Sequence, residues 1–315
     1  MHLVIGADEF LGRHVSRALS ADSQVIELNA DADDQALADA IAGVEVVVHC
    51  AQTWSPGRRL HYRKRAPQLL QRIVETTRDS RVRRLVHVST ADVFGSGQVG
   101  RITEKSVPKP AHAYEKLRLF EEEWLLGTAD DLDVVIVRPA HVFGEGEDWI
   151  LPRLMAAAVH GRVWLPGGGR AQQTFVSAED VGRACLAASE RGRRGHRYLI
   201  GGFDSSWRDL ITSAARAVGF AADVTSIPYD LAYLRALAME TITPSGGAVW
   251  PGLYAVDVLG RPRLYDDSHS RRELTWSPSV GSFEQEMPAM APWLSRLPGV
   301  AQAISELPED QAEAT

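Results

Sequence analysis

Short apolar runs alternate with longer amphipathic stretches through the first 140 residues, and this alternation is the strongest structural signal in the chain. Leu3 to Ile5 form an apolar run, a tight polar turn follows Gly6, and an amphipathic stretch leads from Gly12 to Leu19. Gln24 to Leu28 reads as a second strand ending at Asn29, and Asp31-Ala-Asp-Asp34 caps a helix expected over Gln35 to Ala42. Val44 to His49 is almost continuously apolar, as a strand covered on both faces of a parallel sheet must be. The basic stretch Arg58 to Arg65 leads into a helix through Thr77, and Arg84 to Val88 runs as a strand into Ser89-Thr-Ala-Asp-Val-Phe-Gly95. Pro108 to Leu117 introduces a long helix carrying Glu121, Glu122 and Glu123, and Val134 to Val137 is a further strand. Strands and helices in this order predict an α/β fold built on a doubly wound parallel sheet with right-handed crossovers.

Beyond Gly144 the pattern changes. A helix over Leu151 to His160 gives way to the loop Pro166-Gly-Gly-Gly169, then to Gln172 through Val181 and another helix. His196 to Ile200 is a late strand. From Phe203 on, helices alternate with loops holding Trp207, Tyr229, Tyr233, Trp250 and Tyr254. The expected division is a nucleotide-binding unit over 1–145, also taking in about 172–200, with a smaller substrate-binding cap from 146–171 and 201–315.

The first turn carries the chemistry that this division implies. Strand, glycine turn and helix open a dinucleotide-binding unit, in which turn glycines let the backbone approach a pyrophosphate at a helix N-terminus. Gly6 and Gly12 hold the outer positions of G-x-x-G-x-x-G, but the middle one is Glu9. Residues 6 to 12, with Glu9, Phe10 and Leu11 between the glycines, are therefore a seat for NAD or NADP with a carboxylate placed in it. Asn29, Asp31 and Ala32 stand where a ribose is held, and Asn29 commits to neither NAD nor NADP. Repulsion between Glu9 and two phosphates predicts that either cofactor binds weakly or not at all.

Composition narrows the class. The chain has 315 residues, 45% hydrophobic and 24% charged, ordinary for a soluble enzyme. Its formal net charge of -7 argues against nucleic acid or an anionic membrane as partner. Cys50 and Cys185 have no neighbours at metal-ligand spacing, so they read as buried thiols and no metal is expected. No leader or long apolar run is evident, which predicts a cytoplasmic protein acting on a small molecule. The arginines of 58–65 suit a solvated helix face or a homodimer contact.

Taken together, the glycine turn, the strand end His49 to Ala51, Ser89-Thr90 before Val93-Phe94-Gly95, Arg138-Pro139 to Gly144, and Phe175-Val176 to Asp180-Val181 carry a resemblance. Over roughly residues 1 to 295 the chain resembles the extended short-chain dehydrogenase/reductase superfamily, of the NAD-dependent epimerase/dehydratase kind, with its Rossmann-like fold. The resemblance implies a hydroxyl from Thr90 on the substrate oxygen and a Tyr-x-x-x-Lys pair whose lysine, Lys116, binds the nicotinamide ribose and lowers the tyrosine pKa. Cys50 and Ala51 would lie along the cofactor. Four residues before Lys116 stands His112 rather than tyrosine, and residues i and i+4 share a helix face. Tyr114, about 200° around the helix from His112 at about 100° per residue, is expected to face away. Thr90, His112 and Lys116 are thus expected to converge on one cleft, with Tyr114 as the alternative acid/base and His141 on the rim.

Other positions depart from the family. Ala66 and Leu69 replace its Asn and Gly, and Gln173-Thr174 replaces the Arg-Asp that reaches a diphosphate in many sugar-nucleotide members. Without that cation a mainly apolar or aromatic carbonyl compound is expected instead of a nucleotide sugar. The reading favoured here is NAD(P)-dependent hydride transfer. Redox-independent proton transfer (dehydratase, isomerase or cyclase) and a non-catalytic binding role stand as alternatives.

Overall fold

Alternation along the first strand sorts its side chains onto two faces, and the surrounding layers follow from that. In β1 (His2–Ile5), Leu3 and Ile5 join one apolar core and Val4 the other. The structure, a computed structural model, describes residues 1–51, 62–128, 132–243 and 249–305. After β1 come α1 (Phe10–Ser20), β2 (Val25–Leu28), α2 (Asp34–Ala42), β3 (Val46–His49), α3 (Tyr62–Thr77), β4 (Arg84–Val88), α4 (Ala113–Thr128) and β5 (Asp133–Pro139). Next are β6 (His141–Phe143), α5 (Leu151–Val159), β7 (Val163–Pro166), β8 (Gln172–Ser177), α6 (Ala178–Arg191) and β9 (Arg197–Ile200). The chain continues through β10 (Phe203–Ser206), α7 (Trp207–Ala217), β11 (Val224–Ile227), α8 (Tyr229–Ile242), α9 (Leu253–Gly260), α10 (Ser268–Leu274), α11 (Phe283–Leu294) and α12 (Val300–Ser305).

Among the described residues six strands form one parallel sheet in the order β2-β1-β3-β4-β5-β9. β2 and β3 lie on opposite sides of β1. The winding reverses there, and the crevice beyond the carboxyl ends of such strands is where open sheets take ligands. Leu11, Val15 and Leu19 of α1, with Val181 and Ala184 of α6, cover one face. Leu37 and Ile41 of α2, Leu70 and Ile73 of α3, and Leu125 of α4 cover the other. The expected doubly wound parallel α/β sheet is the fold.

A further core gathers α5, α7 and α11 around Leu154, Trp207, Leu210, Phe283 and Met287. β8 links it to the sheet, because Phe175 faces this core while its neighbour Val176 faces the first. β8 also pairs parallel with β6 and antiparallel with β10. The helix expected from Gly12 opens earlier, at Phe10, and the loop at residues 167–169 is a 3-10 turn whose three glycines all have positive φ. The stretch Arg58 to Arg65 and Ala66 lie outside the residues whose side chains are described, as does the tail after Pro308.

One helix contact is limiting. A Cβ on Gly182 of α6 would stand 2.7 Å from the His14 carbonyl oxygen of α1, and backbone cannot yield cheaply. Gly127 of α4 has open space among the described residues. Gly182→Ala should therefore cost about 1–3 kcal/mol by overpacking, whereas Gly127→Ala should add up to about 1 kcal/mol through helix propensity. Urea unfolding of both variants checks the pair, and equal shifts would show that the α1–α6 contact is not tight.

Candidate active site

The turn after β1 is dictated by backbone crowding. Gly6 has φ +87°, and a Cβ there would lie 2.6 Å from the Ala51 backbone at the end of β3. A Cβ on Gly12 would lie 1.9 Å from the Gly6 carbonyl oxygen. Both glycines are required by the fold itself. Glu9 is different: its backbone is extended (φ −87°, ψ 166°), so the turn tolerates a side chain there, and only a ligand's approach would call for glycine. Its N–H donates to the Gly6 carbonyl (3.0 Å), closing the turn.

Glu9, Phe10 and Leu11 line a cleft of about 590 Å³ together with Thr90, Tyr114, His141, Trp149 and Tyr254. Exposed Asn29 and Asp31, with half-buried Ala32, follow β2 beside the turn; the Gly6 N–H donates to Leu28 (2.8 Å), and the Ala30 N–H donates to Asp8 Oδ1 (3.2 Å). Buried Cys50 and Ala51 follow β3, where burial pushes the Cys50 thiol well up. The residues expected to hold a cofactor are thus gathered at three adjacent strand ends. The glycine cradle fits a nicotinamide dinucleotide, and the Glu9 carboxylate is opposed to its phosphates.

The expected acid/base arrangement differs from the geometry found. α4 starts at Ala113, so His112 is its cap rather than a member of its face: the His112 carbonyl accepts from the Lys116 N–H (3.0 Å). Glu115 Oε2 accepts from the N–H groups of Ala111 (2.6 Å) and His112 (3.0 Å), which fixes the helix start. His112 directs Nε2 to Asp257 Oδ2 (3.3 Å), behind Tyr254, and Lys116 is exposed. Neither lines the cleft. Tyr114, expected to face away, sits in the first turn and lines the cleft with Thr90, whose hydroxyl acts to lower the phenol's pKa. Thr90 and His141 are in the cleft wall, as expected from their strand ends.

Arg118 was not singled out in the sequence, although it stands four residues after Tyr114, the spacing the family reserves for lysine. It is buried, donates to Glu121 Oε2 (2.6 Å) and to the Val88 carbonyl, and its charge acts to lower the Tyr114 pKa. Burial acts more strongly and pushes that phenol up to about 12. Beneath lie His49 and His87, stacked, with Nδ1 atoms 2.9 Å apart. Two further buried pairs brace the wall. Glu122 accepts from Arg138 (2.5 Å) and from the Ser89 hydroxyl (2.5 Å). Asp92 accepts from Arg263 (2.6 Å) and from the Tyr254 hydroxyl (2.5 Å).

Fold and site together define a doubly wound α/β protein with a hydroxyl and a phenol in one cleft. The chain belongs to the NAD dependent epimerase/dehydratase family, within the extended short-chain dehydrogenase/reductase superfamily: the family's sequence model matches residues 2–201. It is 29% identical over 257 residues to a 4-hydroxy-2-methyl-3-oxo-4-farnesyl-3,4-dihydroquinoline-1-oxide ketoreductase of Stigmatella aurantiaca, covering 78% of this chain and 76% of that one. It is 27% identical to sterol demethylase protein B of Methylococcus capsulatus, covering 88% and 93%. UDP-glucuronic acid 4-epimerase of Bacillus cereus, solved with UDP-glucuronic acid and NAD, superposes with a TM-score of 0.73 at 20% identity, covering 94% and 99%. That last likeness is one of fold. Among the described residues no helix is long and apolar enough to cross a membrane.

Burial holds His49 neutral, with its pKa lowered to about 3, whereas unfolded histidine titrates near about 6.5. The unfolded chain then binds the extra proton, so this contribution is fully present above about pH 6.5 and is lost as pH falls toward the folded value. The stability advantage of the parent over His49→Gln should shrink by about 1 kcal/mol per pH unit below about pH 6.5. Urea unfolding of both proteins at about pH 7.5 and pH 5.5 measures it. A gap independent of pH would mean that His49 is not held neutral.

Proposed function

We propose that the protein is an NAD(P)-dependent oxidoreductase that interconverts a ketone and a secondary alcohol on a mainly apolar or aromatic small molecule. The observation that carries this reading is that Tyr114 and Thr90 line the same cleft, together with Glu9, Phe10 and Leu11 of the glycine turn. Thr90 orients the substrate oxygen, and Tyr114 gives it a proton in reduction or takes one in oxidation. With its pKa near 12 the phenol is in the acid form at neutral pH, which suits reduction. Arg118 serves in place of a lysine as a fixed cation beside Tyr114. A bound nicotinamide cofactor would supply or take up the hydride. Gly6, Gly12, Asn29, Asp31, Ala32, Cys50 and Ala51 would hold it, with residues 1–145 and 172–200 as the binding unit and 146–171 and 201–315 as the cap.

The substrate class is supported by the cleft wall, where Trp149 stacks on Tyr254 (5.1 Å) and Tyr114 lies 5.5 Å from Tyr254. Gln173 spends its amide on protein carbonyls, so no cation reaches the cleft from that position. The names of the Stigmatella and Methylococcus relatives also point to large apolar molecules. Glu9 supports weak cofactor binding. One carboxylate–phosphate repulsion at about 5 Å and an effective dielectric of about 20 is roughly 3 kcal/mol. The helix N-terminus offsets about 0.3–1 kcal/mol of that. A second reading, proton transfer without a cofactor, rests on Glu9 alone.

Tyr114→Phe should lower ketone reduction by about 10²–10⁴-fold with folding unchanged, while His112→Ala should change it by less than about tenfold. In the reverse direction alcohol oxidation should rise about tenfold per pH unit through the neutral range, because the phenolate is the base. The reverse ranking of the two variants would return the acid/base role to His112. Glu9→Gly should strengthen NADH or NADPH binding at least about tenfold, read by fluorescence titration. Turnover that needs no added nicotinamide would favour the second reading.

A further inference from the structure

Gln173 fixes the position of the proton on His141. Gln173 is fully buried in β8, and its amide nitrogen donates to the carbonyls of Val258 (3.1 Å) and Arg261 (2.7 Å). Exchanging the amide oxygen and nitrogen would set an oxygen against two carbonyl oxygens, so this orientation is imposed by its surroundings. The carboxamide oxygen is then the end that faces His141 Nε2, at 3.1 Å. That oxygen can only accept. His141 therefore carries its proton on Nε2, and Nδ1 keeps its lone pair.

Nδ1 has no hydrogen-bond partner among the described residues, and His141 is part of the cleft lining. The ring is packed between Trp207 (5.2 Å) and Phe175 (5.8 Å), which leaves it little freedom to rotate. Burial, with Arg263 nearby, outweighs the attraction of Asp92 and holds the imidazole down to about 4, so it stays neutral at physiological pH.

We propose that His141 Nδ1 is a fixed hydrogen-bond acceptor in the substrate half of the cleft. It selects apolar ketones or alcohols that carry a second donor, a hydroxyl or N–H, away from the reacting carbon. Gln173 is the positioning residue that holds the acceptor in that tautomer. This selection rests on the cleft being the carbonyl-substrate site proposed above. A ligand lacking the donor leaves a desolvated acceptor unpaired, which sites of this kind discriminate against by about tenfold or more.

The test uses binding, so it does not depend on hydride transfer. Isothermal calorimetry with para- and meta-hydroxyacetophenone and their methyl ethers should show at least one hydroxy ketone bound about tenfold more tightly than its ether. His141→Phe should abolish that preference, and His141→Asn, which keeps an oxygen near the Nδ1 position, should restore part of it. Nitrogen NMR of labelled histidine should show the Nε2–H tautomer, with the Nδ1 signal moving when the hydroxy ketone binds. Gln173→Leu should mix the tautomers and weaken the preference. Equal affinity for both members of each pair, no binding of any of them, or an Nδ1–H tautomer in the parent protein overturns the proposal. A retained preference with no turnover of the bound ketones would instead count against the oxidoreductase reading alone.

Discussion

The cleft depends on a set of buried charges that can exist only as pairs. α4 turns three carboxylates inward: Glu115, Glu121 and Glu122 are each at most 1% exposed. Each meets a guanidinium, from Arg263 (3.1 Å), Arg118 (2.6 Å) and Arg138 (2.5 Å) respectively. Removing one member of such a pair typically costs about 3–5 kcal/mol, because the survivor is left charged in an apolar interior. The partners come from α4 itself, from β5 and from the segment after α9, so the helix can satisfy all three in a single register. That register sets where the first turn of α4 begins, and hence where Tyr114 points.

The same network separates positioning from contact. Arg263 reaches Asp92, Asp92 holds the Tyr254 hydroxyl, and Tyr254 stacks on Trp149 in the cleft wall. His112 belongs to this layer, through Asp257, which also accepts from Ser96 (2.6 Å) and Tyr229 (2.9 Å). Groups that face the cleft are thereby oriented by groups that do not, an arrangement that keeps polar atoms fixed where apolar walls give little directional hold. Gln173 acts on His141 in the same way from β8.

Strand and helix order was readable from the residues, since Leu3, Val4 and Ile5 or Val46 to His49 bury both faces of a sheet and nothing else in the pattern competes. Gly6 and Gly12 were readable too, because their spacing reflects backbone crowding that any strand–turn–helix of this kind must relieve. Thr90 and His141 followed from their places just beyond strand ends. Glu9 was legible as a departure, and its extended backbone explains why the fold accepts it.

What the sequence could not decide was the start of α4 and the pairing beneath it. His112 and Lys116 at i and i+4 look like one helical face only if the helix includes His112, and the reach of Glu115 back to the backbone of residues 111 and 112 begins it one residue later. With His112 left outside the helix, the pair that faces the cleft lies two residues further on, about 200° around at about 100° per residue: Tyr114 in place of His112 and Arg118 in place of Lys116. The carboxylates that fix that shift find their partners up to 148 residues away. Local pattern therefore determined the layers and the turn, while the residues that meet in the cleft were settled by long-range charge pairing, which only the tertiary structure brings together.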